Sequence, residues 1–310
     1  GRLDATNVLL PEVAAITNLT QDHLDFHGSL EEYVSAKGRL FEMLDTAATK
    51  RIDKVAVLNR DDPSYALFRD RTSVRTVTYG IDSDADFRAV DVAYEGWASV
   101  FPVRSDRAEF RVKLPSPGSF SVYNALAATA IGSAAGLATE TIVRGLESWP
   151  GAPGRMQLID EGQPFTVVVD FAHSPDSLRR VLKLLRERTS GRVIALFGCI
   201  GERERERRPG MGKAAAEFAD FTIVTDDNPY TEDRNAIIAD IADALRSAGK
   251  DEGDGFEIIP DRREAIARAL RIARDGDSVL LAGKGHETKV VMTEGSYPCN
   301  DAEVARSVLR

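Results

Sequence analysis

The sequence predicts an α/β protein of two domains, residues 1–150 and 151–310, the second built on a parallel sheet. Three observations carry this reading. At 310 residues the chain exceeds one ordinary domain and suits two of roughly 150 residues each. The segment Trp149-Pro150-Gly151-Ala152-Pro153-Gly154 concentrates proline and glycine in the manner of a linker. Beyond it, short continuous apolar runs alternate with stretches of helical spacing, and strands that are apolar on both sides belong in a parallel sheet covered on both faces.

In the first domain Val13–Asn18 reads as a buried strand running into a polar loop, Thr20–Gly28. Ser29, with Glu32 three residues on, has the form of a capping box, and Tyr33–Leu44 spaces its apolar groups as a helix does. Val55–Asn59 is a short apolar strand closed by the turn residues Arg60-Asp61-Asp62-Pro63. From Arg75 to Leu114 the pattern changes to short alternating segments such as Phe110-Arg111-Val112-Lys113-Leu114, which predicts an antiparallel patch. Val122–Ala135 reads as an Ala-rich helix and Thr139–Ser148 as a second one. In the second domain, strands are expected at Phe165–Phe171, Arg192–Gly198, Phe221–Thr225, Phe256–Ile259 and Ser278–Ala282. Helices are expected at Asp176–Arg188, Gly210–Phe218, Asn235–Ala248, Arg262–Arg274 and Asp301–Leu309.

Composition bounds the function. The 43% hydrophobic content suffices for two cores. No apolar run approaches the roughly 20 residues that span a bilayer, and no signal-peptide pattern opens the chain, so no membrane insertion is expected. The two cysteines, Cys199 and Cys299, lie far apart and suit neither a disulfide framework nor a Cys-rich zinc site, which fits a reduced, cytoplasmic setting. A net charge of -9 argues against nucleic acid as a partner. It leaves room for an anionic small substrate, because a few arginines make a local positive site in an acidic protein.

Ligands of open α/β sheets sit at the carboxyl ends of strands, and here the polar motifs follow the expected strand ends. Thr17-Asn18-Leu19-Thr20-Gln21-Asp22-His23-Leu24-Asp25-Phe26-His27-Gly28 is rich in ligand-capable groups and leads to a helix bearing Lys37. On its own it is either a metal-binding strand end or a polar loop without chemistry, and Lys37 is equally a solvated helix-face lysine. Asn124, in Val122-Tyr123-Asn124, reads on its own as a helix cap. Further on come Pro153-Gly154-Arg155-Met156 and Val169-Asp170-Phe171-Ala172-His173-Ser174-Pro175, whose aspartate and histidine also suit caps and turns. The alternating charges of Gly198-Cys199-Ile200-Gly201-Glu202-Arg203-Glu204-Arg205-Glu206-Arg207-Arg208-Pro209 suit a solvated, self-paired loop. Thr225-Asp226-Asp227-Asn228-Pro229-Tyr230 and Gly283-Lys284-Gly285-His286-Glu287-Thr288 complete the series.

Taken in order, these motifs resemble the Mur ligase family, and most of all its members that join a diamino acid to UDP-MurNAc-L-Ala-D-Glu as the third residue of the peptidoglycan stem peptide. The resemblance implies a P-loop-type central domain followed by a Rossmann-like C-terminal domain, ATP and Mg²⁺ as cofactors, and amide formation through an acyl phosphate. It implies that Lys37 is carbamylated and holds Mg²⁺ together with His23. An ammonium would repel the ion, whereas a carbamate offers hard anionic oxygen. Asn124, Arg155, Asp170 and His173 would serve the nucleotide. Arg203, Asp227, Asn228, Tyr230, Gly283 and Glu287 would shape the amino-acid pocket, with Arg203 gripping a carboxylate through its planar fork and Glu287 attracting ammonium.

The sequence also departs from that family. Members that use meso-diaminopimelate carry arginine where Tyr230 stands, and a phenol donates a hydrogen bond without charge, which admits a lysine-like or other diamino acid. Cys199-Ile200-Gly201 replaces a usual glycine pair, and Gly210 stands where leucine is common. The first residues, Gly1-Arg2-Leu3-Asp4-Ala5-Thr6-Asn7-Val8, resemble folylpolyglutamate synthases, relatives with the same central domain, and Arg2 is counted there as substrate-binding. A folate-directed ligase and a non-catalytic relative are therefore the alternatives. No Gly-x-x-x-x-Gly-Lys-[Ser/Thr] occurs. The family carries that loop upstream, beside a domain for the UDP-sugar, so the chain is expected to be a fragment that is inactive alone.

Overall fold

The computed structural model describes residues 11–19, 29–48, 52–202 and 205–310. The chain divides into two compact units, Gly1–Pro150 and Gly151–Arg310.

In the first unit the elements run β1 (Val13–Ile16), α1 (Leu30–Thr46), β2 (Val55–Asn59), α2 (Ser64–Arg69), β3 (Arg75–Gly80), β4 (Phe87–Ala89), β5 (Ala93–Glu95), β6 (Ala98–Arg104), β7 (Glu109–Leu114), α3 (Ser119–Ala134) and α4 (Thr139–Glu147). The sheet order is β1-β2-β3-β4-β6-β5, with β7 on β6. Strands β1 to β4 pair in parallel and the remaining pairings are antiparallel. The expected antiparallel patch is thus smaller than the sequence suggested, because β3 and β4 extend the parallel half. Alternation in Arg75–Gly80 reports one half-exposed face, not the direction of the neighbour, and the short helix α2 supplies the crossover that parallel pairing needs.

Successive side chains of β2 serve two cores, as the period of a strand requires. Val55 and Val57 join Val77, Phe101 and Val112 against Val122, Ala125 and Leu126 of α3. Ala56 and Leu58 join Ala14 against Val34, Phe41 and Leu44 of α1 and Phe68 of α2. The Ser29 hydroxyl accepts the Glu32 amide at the start of α1. Helix α3 begins three residues earlier than the sequence suggested, with Gly118 in the N-cap position at φ 95. Asn124 therefore lies inside the helix with its side chain exposed, and it is not a cap.

The second unit runs β8 (Gln157–Ile159), β9 (Thr166–Asp170), α5 (Pro175–Arg186), β10 (Val193–Phe197), α6 (Arg207–Phe218), β11 (Phe221–Val224), α7 (Arg234–Ser247), β12 (Phe256–Ile258), α8 (Arg262–Ile272), β13 (Ser278–Ala282), β14 (Lys289–Met292), β15 (Gly295–Pro298) and α9 (Asp301–Leu309). Its sheet order is β12-β11-β10-β13-β9-β8. Every pairing in it is parallel except β8 on β9. Val167, Val169, Ile194, Leu196, Val279 and Leu281 face α8 and α9, whose Ile266, Ala269, Ala302 and Ala305 close that core. The alternate residues Val168, Ala195, Phe197 and Leu280 are equally buried on the opposite face, where α5 and α7 contact the sheet.

The chain steps outward from β10 to β12 and then returns to place β13 between β10 and β9. The loops leaving β10 and β13 accordingly diverge, which makes this the crevice where doubly wound sheets take ligands. Among the described residues no helix is long and apolar enough to cross a membrane.

Candidate active site

At the β10/β13 crevice the loops after β11 and β13 meet through buried polar groups. Lys284 is fully buried. Its Nζ donates to Glu287 Oε2 at 2.6 Å and to Asn228 Oδ1 at 3.1 Å, and it lies 3.6 Å from Asp227 Oδ1. Asn228 Nδ2 donates to the same Glu287 oxygen at 2.9 Å, and the Val291 amide donates to Asn228 Oδ1 at 3.0 Å. Gly283 has φ 103, and a Cβ on it would stand 3.0 Å from Asp227 Oδ2, so glycine lets the two loops close on each other. Burial disfavours the charge on Glu287, but the hydrogen bonds from Lys284 and Asn228 outweigh it and hold the carboxyl below its ordinary range. Burial raises the Asp227 carboxyl against the pull of Lys284 and Arg262.

A second cluster stands at the tip of β9. The Arg155 guanidinium lies 4.3 Å over the Phe171 ring. His173 and His286 approach the same ring, at centroid distances of 4.6 Å and 5.6 Å. Stacking on an aromatic face fixes a guanidinium while leaving its N–H groups for an anion. Asp170 accepts the amides of Met156 at 2.7 Å and Ala172 at 2.8 Å. Burial raises its carboxyl, opposed by those two amides. The Asp170 carbonyl accepts the Gly283 amide at 3.1 Å, which ties this cluster to the first.

Three non-glycine residues with positive φ flank these groups: Met156 at 45, Glu202 at 58 and Tyr230 at 54. Such backbone is costly and persists where surroundings over-determine it, commonly at functional loops. Tyr230 is held by its amide to the Val291 carbonyl at 3.1 Å and by the Thr293 hydroxyl, which donates to its carbonyl at 3.0 Å.

Below the loops lie two buried arginines. Arg262 meets both Asp301 oxygens, at 2.8 and 2.7 Å, and donates to the carbonyls of Asp226 and Ala282 at 2.9 and 2.8 Å. Arg208, 1% exposed, donates to Glu232 at 2.8 and 2.7 Å and to Asp240 at 3.0 Å. Arg208 accordingly brings the Glu232 carboxyl down to about 2. Arg205 and the Glu202 amide reach Glu232 as well. Arg205, Arg208 and the Glu202 amide thus dock the described part of the loop after β10 on Glu232, a partner that charge alternation alone does not reveal.

The structure brings Asp227, Asn228, Gly283 and Glu287 together, with Tyr230 two residues beyond Asn228 on the same loop, and gathers Arg155, Asp170 and His173 at the β9 tip. Lys37 stands exposed on α1, its Nζ 5.4 Å from the Tyr33 ring centroid. Arg2, His23 and Arg203 lie outside the described residues. Among the described residues no group of three or more His, Cys, Asp and Glu side chains is arranged to hold a metal ion. Lys284, His286 and Arg262 were not singled out as site residues. Lysine between the two glycines of the β13 loop, and histidine directly after them, are the available signal for the first two, and Arg262 gives none.

These features define a two-unit α/β chain whose second unit gathers a carboxylate, an amide and a stacked arginine at neighbouring strand tips. Residues 1–132 match the Mur ligase middle domain and residues 154–285 match the Mur ligase glutamate ligase domain. The chain belongs to the Mur ligase family. It is 44% identical over 304 residues to the UDP-N-acetylmuramyl-tripeptide synthetase of a Roseiflexus species, a match covering 96% of this chain and 60% of that protein. It is 41% identical over 300 residues to the UDP-N-acetylmuramoyl-L-alanyl-D-glutamate–2,6-diaminopimelate ligase of Geobacillus thermodenitrificans, with the same coverage, 96% and 60%. A solved structure of such a diaminopimelate ligase superposes with a TM-score of 0.64 at 36% identity, over 98% of this chain and 61% of that one. The chain thus spans about 60% of the length of the curated relatives it matches.

Proposed function

We propose that the intact protein is an ATP-dependent acid–amino-acid ligase that joins a diamino acid to UDP-MurNAc-L-Ala-D-Glu in peptidoglycan synthesis. The observation that carries the proposal is Glu287, kept anionic beside the Asn228 amide at the switch point of the second sheet. An anionic carboxylate next to an amide is suited to an ammonium and its neighbouring polar groups. The names of the two relatives at 44% and 41% identity support the same substrate class.

In this reading ATP phosphorylates the terminal carboxylate of the UDP-MurNAc-dipeptide. The neutral amine of the diamino acid attacks the acyl phosphate, a C–N bond forms, and phosphate leaves with the electron pair of the broken C–O bond and takes up the proton the nitrogen sheds. Arg155, stacked on Phe171, and His173 beside it meet the phosphates, and Asn124 serves the adenine end. Glu287 and Asn228 hold an ammonium of the incoming substrate so that its other amine is presented, while Arg203 takes a carboxylate. The work of these residues is positioning and charge stabilisation. Mg²⁺, when bound, neutralises phosphate charge. Lys37 fits that task only as a carbamate, with His23 as its companion, and its exposed Nζ is open to carbon dioxide.

The test is phosphate release from ATP by the intact protein, with the UDP-MurNAc-dipeptide and a panel of diaminopimelate, lysine and ornithine. Turnover that requires both the dipeptide and one diamino acid is the expected result. Absence of turnover across the whole panel, or stimulation by folate instead, refutes the proposal.

A further inference from the structure

Asn228 and Glu287 are oriented by a residue that lies beneath them and is closed to solvent. Asn228 Oδ1 accepts from Lys284 Nζ and from the Val291 amide, so both of its lone pairs are used and the amide cannot turn over. Its Nδ2 is thereby aimed at Glu287 Oε2, which also accepts from Lys284. Glu287 Oε1 takes no side-chain hydrogen bond among the described residues, and the Glu287 side chain is 34% exposed. Lys284 itself is fully buried.

We propose that Lys284 is the positioning residue of the amine receptor. By clamping Asn228 Oδ1 and Glu287 Oε2 together, it presents Glu287 Oε1 and the second amide proton of Asn228 to the diamino acid. Lys284 touches no ligand in this scheme; it acts through the two groups it holds. The inference rests on the function proposed above. A purely structural lysine would brace the β11 and β13 loops without favouring one substrate over another.

The intact protein is assayed as wild type, K284M, E287Q and the double variant K284M/E287Q. In K284M the KM for the diamino acid rises about 30-fold or more, the range set by removing one member of a buried charge pair, while the KM for ATP is unchanged. The double variant keeps the net charge of the cluster at its wild-type value, with Arg262 still facing Asp227, so it keeps the test open if K284M does not fold. Its KM for the diamino acid matches that of E287Q, because a residue acting through Glu287 has nothing left to orient. Equal rises in both KM values, or independent multiplication of the two substitutions, overturns the proposal. Calorimetric titration of the diamino acid onto wild type and the double variant separates this idea from the proposed reaction. Binding by wild type that is lost in the double variant, without turnover by either, refutes the reaction and keeps the receptor. Failure of wild type to bind any diamino acid refutes the receptor.

Discussion

Arg262 and Asp301 form a fully buried, two-bond ion pair, and the same guanidinium holds the carbonyls of Asp226 and Ala282. Those carbonyls lie at the tips of β11 and β13, so one side chain fixes the separation of the two loops that carry Asn228 and Glu287. Replacing Arg262 with methionine leaves Asp301 charged in an apolar interior. The expected loss is about 3–5 kcal/mol of unfolding free energy, read from denaturant unfolding monitored by circular dichroism. R262M/D301N recovers part of it, because the uncompensated charge is gone.

Asp61 is the corresponding anchor of the first unit. It accepts the amides of Ile81, Asp82 and Ser83 and the Tyr123 hydroxyl. Burial works to raise its carboxyl, but the hydrogen bonds from Ser83, Ile81 and Asp82 win and bring it down to about 2. A depressed folded value means stability that is present above the unfolded pKa of about 3.9 and lost as pH falls toward 2. D61N is expected to cost about 1 kcal/mol at neutral pH after allowance for solvent screening. The gap between wild type and variant closes as pH falls through the 4 to 2 window, measured by urea unfolding across that range.

Gly210 sits in the first turns of α6, and a Cβ there would come 2.6 Å from Pro175 Cγ at the start of α5. Alanine ordinarily favours a helix over glycine by about 1 kcal/mol. Here the expected sign is reversed: G210A lowers the melting temperature, since overpacking of this kind costs about 1–3 kcal/mol. A glycine at this position is accounted for by this close approach of two helices.

Cys199 and Cys299 are both buried. Burial pushes the Cys199 thiol up to about 12 and raises that of Cys299 as well. Neither is expected to react with a thiol reagent at pH 8 in the folded protein, because the thiolate is the reactive form. Both react once the chain is unfolded, which a colorimetric thiol count in and out of denaturant measures.

Lys37 is exposed on α1, so its removal leaves packing intact. K37A in the intact protein is expected to abolish turnover with an unchanged unfolding midpoint, and short carboxylates restore part of the rate. Full activity of K37A would remove the carbamate from the scheme.

The parallel strands of the second unit were legible because their apolar runs are continuous. Ser278–Ala282 has the expected ends, and the other four strands differ by one residue at one or both ends. Strands β8, β14 and β15 were missed: they are three or four residues long and partly exposed, so they leave little pattern. Asp227, Asn228, Gly283 and Glu287 were legible from the order of their motifs. Their supports were not, because a buried cation is defined by distant partners. Arg262 finds Asp301 39 positions away, and Lys284 finds Asn228 56 positions away.

Gly154 has φ 67, and a Cβ on it would fall 2.1 Å from the backbone of Gly285 and His286. The polypeptide that leads into the second sheet is thus pressed flush against the loop bearing Glu287. Anyone transplanting this half onto a relative therefore has a fixed seam. A junction cut upstream of Pro153 carries the loop's backing along with it, whereas one cut after Arg155 hands the recipient a receptor with its rear wall missing.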